Sequence, residues 1–287
     1  MAYPLLRLPW PSRPMWWTFR LAFRAGGLFH RTGDLRVTER RAGPLRCRAS
    51  APPGGGPTVL WFHGGAFVAG SPETHARLTD RIARAGLTVV APGYPLAPEH
   101  PFPAAHEAGV AAARALAAEG PFALGGDSAG ATVAATVLAA LLAGGIRPRA
   151  VALVAPAAIL DPARRVAPDA RPMFLSRPLL LRLLRAYAPG ADPRDPRLSP
   201  GHAAFPDAPP ALIHCARGEV LEPDADMLAR ALRRGGAAVT VAKAEGLPHA
   251  WHLAAGFAPA ADAAIADIAA FLAAAMLETR RRDDKSE

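Results

Sequence analysis

The chain has 287 residues, of which 51% are hydrophobic and 20% are charged. It is therefore long enough to bury a core and too apolar for a disordered protein. The formal net charge of +9 comes almost wholly from scattered arginines without a compact basic block, so we expect no nucleic-acid partner. Two cysteines cannot form a disulfide framework in a chain of this size, and we expect Cys47 and Cys215 to be free, buried thiols in a cytoplasmic protein.

Eight short apolar runs bounded by turn residues predict β-strands: 35–40, 45–49, 58–62, 87–91, 122–125, 150–155, 211–216 and 238–242. From the third run onward, helical patterns separate the strands at 74–85, 104–118, 128–143 and 224–234, and a last helix is expected at 259–277. Strands that alternate with helices indicate an α/β fold, with a mostly parallel sheet covered on both faces. The first two runs are joined by a short turn and predict an antiparallel hairpin at one edge.

Two segments interrupt this alternation. Residues 1–33 carry tryptophans and phenylalanines among arginines, and residues 162–208 are rich in Pro, Arg and Asp around one apolar helix at 179–187. Because long insertions are often functional lids, we predict that they form a small helical cap on a core of residues 34–161 and 209–279. A surface embellishment without substrate contact is the alternative for both, and a helix lying on a membrane surface is an alternative for the first. Residues 280–287 are expected to be a disordered tail.

No integral membrane span is expected. Prolines and arginines interrupt the apolar N-terminal stretch, which therefore does not resemble a signal peptide. The uncharged stretch 129–146 is long enough to span a bilayer. However, it is built mainly of Ala, Gly and Thr directly behind Asp127 and Ser128, which favours a buried helix packed closely on the sheet.

The motif Gly126-Asp127-Ser128-Ala129-Gly130 matches G-x-S-x-G, and it follows a predicted strand and opens a predicted helix. In that context the serine stands on a sharp turn at the carboxyl edge of the sheet, which predicts Ser128 as a nucleophile. Asp127 is expected to be a local hydrogen-bonding residue. A phosphate loop is excluded because no lysine follows the second glycine.

The motif His63-Gly64-Gly65-Ala66 follows the third predicted strand. Glycines let the backbone approach a reacting carbonyl, and fixed N–H groups stabilise the negative charge that develops on its oxygen. We expect the N–H groups of Gly64, Gly65 and Ala129 to form such an oxyanion hole. His63 is expected to hold this loop by hydrogen bonding.

Together with the run 94–104 (YPLAPEHPFPA), these two motifs resemble the hormone-sensitive-lipase family of bacterial carboxylesterases, over roughly residues 55–275. The resemblance implies an eight-stranded α/β-hydrolase fold, a cap made from the N-terminal region and an insertion after the sixth strand, and hydrolysis of carboxylic esters. The family usually has a third glycine where Ala66 stands. We expect this difference to affect loop geometry and to leave the donors at Gly64 and Gly65.

The acid and the base of the triad should follow the seventh and eighth strands, because this fold orders its triad Ser, Asp or Glu, His. Glu219 stands where the family usually has Asp, and Asp224, Glu222 and Asp226 are alternatives. The family resemblance points to His249, in Gly246-Leu247-Pro248-His249, as the base. His252 is the alternative base. No His-Glu-x-x-His or Cys-x-x-Cys pattern occurs, so neither a metal nor another cofactor is expected.

These residues predict a serine carboxylesterase that cleaves small-molecule esters of short- to medium-chain acids through an acyl-enzyme. Trp16, Trp17 and Phe67 are expected to limit its pocket. A lactone or amide hydrolase or an acyltransferase would use the same triad. A non-catalytic ligand-binding member of the fold is a further alternative, against which His249 argues. The sequence leaves open whether the chain is a monomer or a homodimer.

Overall fold

The computed structural model describes Arg20, His30 and residues 32–163 and 177–283. Eight strands form one sheet in the order β1-β2-β4-β3-β5-β6-β7-β8. The β1–β2 and β2–β4 pairs are antiparallel and the other five pairs are parallel. The predicted fold and the predicted hairpin are confirmed. The strands are β1 Arg36–Ala42, β2 Leu45–Ala51, β3 Thr58–Phe62, β4 Thr88–Pro92, β5 Phe122–Asp127, β6 Val151–Val154, β7 Ala211–Ala216 and β8 Val239–Ala244.

Six α-helices lie within residues 32–163 and 177–283: α1 Ala76–Ala83, α2 Ala104–Glu119, α3 Ala129–Ala143, α4 Arg177–Tyr187, α5 Glu222–Arg234 and α6 Pro259–Asp283. Helix α4 lies in the predicted cap insertion, where a helix was expected. Helix α6 runs to Asp283, beyond the predicted end at Leu277, because the arginines that follow are good helix formers. This corrects the expected start of the tail at Arg280, and residues 284–287 lie outside the described residues.

The central strands are buried on both faces, which explains why their sequences are apolar except for Asp127 and His214. Successive side chains of β3 alternate between two core layers. Leu60 and Phe62 pack with α2, α3 and α5 on one face. Val59 and Trp61 pack with α1 and α6 on the other face. This double coverage fixes the carboxyl ends of the parallel strands along one sheet edge.

Helix α6 is long and apolar enough, by length and composition over Pro259–Leu277, to cross a membrane. Ile265, Ile268 and Leu272 are buried in the core layer with α1. One buried stripe with a more exposed opposite face is typical of a helix that covers a sheet in a globular protein. The uncharged stretch 129–146, whose length would also suit a membrane span, contains helix α3. This helix has 15 residues and packs in the other core layer.

Cys47 on β2 and Cys215 on β7 are buried and free, as predicted. Burial raises the pKa of the Cys47 thiol to about 11 and that of Cys215 to about 12. Since the thiolate is the nucleophilic form, neither thiol competes with a hydroxyl nucleophile at neutral pH.

Candidate active site

The sharp turn between β5 and α3 carries Ser128. This residue has φ 53° and ψ −120°, in a region that residues with a Cβ rarely adopt. A Cβ at Gly130 would lie 2.1 Å from the carbonyl oxygen of Phe62, and one at Gly126 would lie 2.5 Å from the carbonyl oxygen of Gly130. The turn therefore needs glycine at both positions, and it holds the partly accessible Ser128 above the start of α3.

Ser128 belongs to a hydrogen-bonded chain of three side chains. Its Oγ lies 2.8 Å from Nε2 of His249, and Nδ1 of His249 lies 2.5 Å from Oε2 of Glu219. The N–H of Ala216 donates to the other Glu219 oxygen at 2.8 Å and fixes the carboxylate in the turn after β7. The structure thus brings together the predicted nucleophile, base and acid in the arrangement that nucleophilic catalysis requires.

The alternative acids have other partners. The buried Asp224 carboxylate accepts backbone N–H groups from the loop after β6, at 2.8 and 3.0 Å. Glu222 and Asp226 both accept from Lys243, at 2.9 and 2.7 Å. Glu219 is therefore the acid that contacts the base, and the other three carboxylates are engaged elsewhere.

The alternative base, His252, is fully buried behind the turn that carries His249. Its Nε2 lies 3.1 Å from Nδ1 of His214, whose Nε2 lies 2.9 Å from Oδ2 of Asp267 on α6. Burial lowers the pKa of His252 to about 3, so the ring is neutral and supports the turn. Sequence reasoning missed this His–His–Asp chain. Its members come from three elements, and its only local signal is a histidine one turn after the base.

The His-Gly-Gly loop (residues 63–70) connects β3 with the turns before α1. The N–H of buried Gly64 lies 3.1 Å from Oδ2 of Asp127 and 3.2 Å from Nε2 of His75. It is therefore engaged inside the protein and not free to hold a substrate oxygen. This corrects the prediction that Gly64 is an oxyanion donor, because the sequence does not tell which N–H of a Gly-Gly pair turns inward.

Two other residues of the loop lie nearer the surface. Gly65 and Ala66 are partly exposed, with φ of 118° and 56°. Among the described residues, the N–H groups of Gly65, Ala66 and Ala129 have no hydrogen-bond acceptor. Ala66 and Ala129 line the same cavity as Ser128. Ala66, the fourth residue of the motif, where the family usually has a third glycine, thus lies beside the site with its N–H unpaired in the described part of the chain.

A buried polar layer supports the His-Gly-Gly loop from below. Asp127 is fully buried and accepts from Nε1 of Trp61 at 3.1 Å as well as from the loop. Burial raises the pKa of the Asp127 carboxyl, but the neighbouring His75 and the hydrogen bonds outweigh it, so the pKa lies below its usual value. Asp127 is therefore the local hydrogen-bonding residue that the sequence predicted.

His63 holds the same loop. Its Nδ1–H donates to the carbonyl oxygen of Gly64 at 2.7 Å, and its ring stacks on Tyr94 with centroids 4.3 Å apart. The Tyr94 hydroxyl donates to the carbonyl oxygen of His63 at 2.7 Å. Burial lowers the pKa of His63 to about 3, which keeps the ring neutral. The predicted loop-holding role of His63 is confirmed.

The cavity beside Ser128 has a volume of about 40 Å³ and is mainly apolar. Phe67 lines it, as expected, and stacks on Tyr187 with ring centroids 3.8 Å apart. Trp16 and Trp17, which were also expected to limit the pocket, lie outside the described residues. Helix α4 contributes Leu180, Leu183 and Leu184 to the lining, and the loops after β6 and β7 contribute Ile159, Leu160 and Leu221.

Comparisons with known proteins show what this chain is similar to. Residues 59–253 match a family described by its α/β hydrolase fold. An acetyl-hydrolase of Streptomyces hygroscopicus is 39% identical over 205 residues, which are 69% of each chain. Esterase LipI of Mycobacterium tuberculosis is 34% identical over 251 residues, covering 79% of this chain and 78% of the relative. A crystal structure of a hormone-sensitive lipase from a metagenome library has a TM-score of 0.84 at 30% identity, covering 94% of this chain and 96% of that one.

The chain therefore belongs to the α/β-hydrolase family. Its resemblance to hormone-sensitive-lipase-like bacterial esterases is confirmed. The predicted enzyme class, carboxylic ester hydrolase, is confirmed at the level of the family, since its relatives include esterases.

Proposed function

We propose that this protein is a serine carboxylesterase that acts through an acyl-enzyme and prefers short acyl groups. The observation that carries the proposal is the hydrogen-bonded chain from Ser128 through His249 to Glu219. An accessible serine on a strained turn, a histidine in contact with its hydroxyl and a carboxylate on the far ring nitrogen are the parts of an activated nucleophile.

In the first half-reaction, Ser128 Oγ attacks the ester carbonyl carbon while Nε2 of His249 takes the hydroxyl proton. Glu219 keeps the ring oriented and stabilises the imidazolium that forms. The carbon–oxygen bond to the alcohol then breaks, and His249 gives the proton to the leaving oxygen. In the second half-reaction, a water oxygen attacks the acyl carbon while His249 takes a proton from that water. The bond from the acyl carbon to Ser128 Oγ then breaks, His249 returns the proton to Oγ, and the acid leaves.

The negative charge of the tetrahedral intermediate lies on the former carbonyl oxygen. We assign its stabilisation to the N–H groups of Gly65, Ala66 and Ala129. This assignment is supported by their lack of acceptors in the described part of the chain and by the position of two of them on the cavity wall. Such fixed donors are often the largest single contribution to catalysis of acyl transfer.

The size of the cavity supports the short end of the predicted range of acyl chains. The cavity beside Ser128 is small, at about 40 Å³, and its lining is mainly apolar, which supports a short acyl group. The similarity to an acetyl-hydrolase supports the same preference.

The test is hydrolysis of p-nitrophenyl acetate, butyrate, octanoate and palmitate by the wild-type protein, by Ser128→Ala and by the control Thr38→Ala. Thr38 is an exposed hydroxyl residue on edge strand β1. We expect turnover that decreases with chain length, disappears in Ser128→Ala and persists in the control. A folded wild-type protein without turnover on any ester would overturn the proposal, and a preference for palmitate would overturn the short-chain assignment.

A further inference from the structure

Arg20, which belongs to the N-terminal segment, contacts two core loops next to the site. Its Nε–H donates to the carbonyl oxygen of Val68 at 2.7 Å, and Nη2–H donates to the carbonyl oxygen of Ala97 at 2.9 Å. The guanidinium also forms a two-pronged pair with Glu99, at 3.0 and 2.7 Å. An arginine can make these contacts together because its five donors have a rigid planar geometry.

The two loops that Arg20 contacts also bind each other. Val68 lies in the His-Gly-Gly loop, and Ala97 lies in the β4–α2 loop (residues 93–103). The N–H of Ala97 donates to the carbonyl oxygen of Phe67 at 2.9 Å. Arg20 therefore closes a ring of hydrogen bonds in which the His-Gly-Gly loop is held at two successive carbonyl groups.

This loop needs such support because its backbone is strained. Ala66 and Phe67 have φ of 56° and 64°, a conformation that is unfavourable for residues with a Cβ. Strained segments persist only where the surrounding structure holds them in place. Asp127 holds the loop on the N-terminal side of the proposed oxyanion donors, at Gly64. The contacts at Phe67 and Val68 hold it on their C-terminal side.

We propose that Arg20 is a positioning residue for the reaction: by fixing the carbonyl of Val68, it aims the N–H groups of Gly65 and Ala66 at the oxyanion. This inference rests on the proposed function. The donors meet full negative charge only in the tetrahedral intermediate and the transition states that flank it. Loss of their alignment therefore lowers kcat and leaves KM almost unchanged.

The experiment compares Arg20→Gln and Arg20→Lys with the wild type and with Arg46→Gln. Arg46 forms an exposed ion pair with Glu39 on the β1–β2 hairpin and is the matched control. With p-nitrophenyl acetate, we expect kcat of Arg20→Gln to fall about 10- to 100-fold, since removal of a whole oxyanion donor costs about 10²–10³-fold. KM should change less than about twofold. Arg20→Lys keeps the charge without the planar donor set, so its kcat should lie between those of the wild type and Arg20→Gln. The kcat of Arg46→Gln should match that of the wild type.

Two further measurements distinguish positioning from general support of the fold. Trifluoroacetone forms an adduct with the serine that places negative charge on the same oxygen, so its inhibition should weaken in parallel with kcat in Arg20→Gln. Guanidinium ion at low, non-denaturing concentration should restore part of the kcat of Arg20→Gly. Both measurements use folded protein and stay informative if the variants melt at lower temperature.

The inference is overturned if Arg20→Gln keeps the wild-type kcat and inhibition while only its melting temperature falls, since Arg20 would then serve the fold alone. A rise in KM at constant kcat would overturn it too, because substrate binding would then be the function of Arg20. Either result leaves the proposed esterase intact as long as the wild type hydrolyses the ester and Ser128→Ala does not. Absence of wild-type turnover would overturn the proposed function and this inference together.

Discussion

Replacing Asp127 with asparagine changes the charge beneath the His-Gly-Gly loop and leaves the size of the side chain almost unchanged. In the native protein, one carboxylate oxygen accepts from Trp61 and the other from Gly64, both at 3.1 Å. Asparagine offers a single acceptor oxygen, and its NH₂ group would face one of these two donors. If the NH₂ group faces Trp61, the buried indole N–H loses its acceptor; if it faces Gly64, the N–H of Gly64 loses the charged acceptor and keeps only Nε2 of His75, 3.2 Å away.

The expected loss of stability follows from the hydrogen bond to the carboxylate that the substitution removes. A hydrogen bond to a charged group contributes about 1.5–3 kcal/mol, and an unpaired buried donor costs about 1–3 kcal/mol. We expect Asp127→Asn to lower the free energy of unfolding by about 3 kcal/mol on this basis. Since Gly64 precedes the proposed oxyanion donors, kcat should also fall, by about 10- to 100-fold.

The effect should depend on pH. The folded-state pKa of Asp127 lies below the ordinary value of 3.8, so its stabilising effect is complete above that value and is lost as the pH falls through the folded-state pKa. Asparagine does not titrate. The stability difference between the two proteins should therefore be largest at neutral pH and shrink in acid below about pH 3.8.

Urea unfolding at neutral and acid pH measures the loss of unfolding free energy and its dependence on pH, and p-nitrophenyl acetate hydrolysis measures kcat. Asp226→Asn is the control, because this carboxylate forms a partly exposed pair with Lys243 and such pairs contribute about 0–1 kcal/mol. A loss below about 1 kcal/mol in Asp127→Asn would refute the reasoning, since a lost charged hydrogen bond should cost more. A difference that grows in acid would refute it as well.

Three further changes test the site and its pocket. Glu219→Gln should lower kcat by about 10³–10⁴-fold with little change in KM, because an amide cannot stabilise the imidazolium; steady-state kinetics checks this, and an unchanged kcat would contradict it. Gly130→Ala should unfold at a much lower temperature than Gly144→Ala, because its Cβ would lie 2.1 Å from a backbone oxygen, compared with 3.4 Å at Gly144; equal melting temperatures would exclude the clash. Leu184→Ala should raise the ratio of octanoate to acetate hydrolysis while costing about 2–5 kcal/mol of stability, and an unchanged ratio would remove Leu184 from the pocket wall.

The strand pattern and the two glycine motifs predicted most of the fold and the position of the nucleophile. Buried parallel strands appear as continuous apolar runs, and a strand followed by G-x-S-x-G and a helix leaves little freedom for the serine. Helix ends were less predictable, because Arg280 and its neighbours continue α6 without a residue that breaks the helix.

The acid stayed ambiguous in the sequence because four carboxylates lie within the first ten residues after β7. Only the turn geometry shows that Glu219 faces His249. The Gly64 donor was predicted wrongly because the orientation of a peptide group depends on Asp127, which is 63 residues away. Arg20 was missed for the same reason, since its partners lie 48 to 79 residues further along the chain.

The reactive groups and the pocket wall come from different parts of the chain. Ser128, Glu219 and His249 follow strands of the sheet, and helix α4, which supplies several leucines to the wall, lies in an insertion outside it. In evolutionary terms, mutations in α4 can accumulate without disturbing proton transfer, because loops and insertions tolerate change better than the scaffold beneath them. We therefore expect substitutions in this insertion to change which esters the proposed enzyme accepts while the proton transfers stay the same.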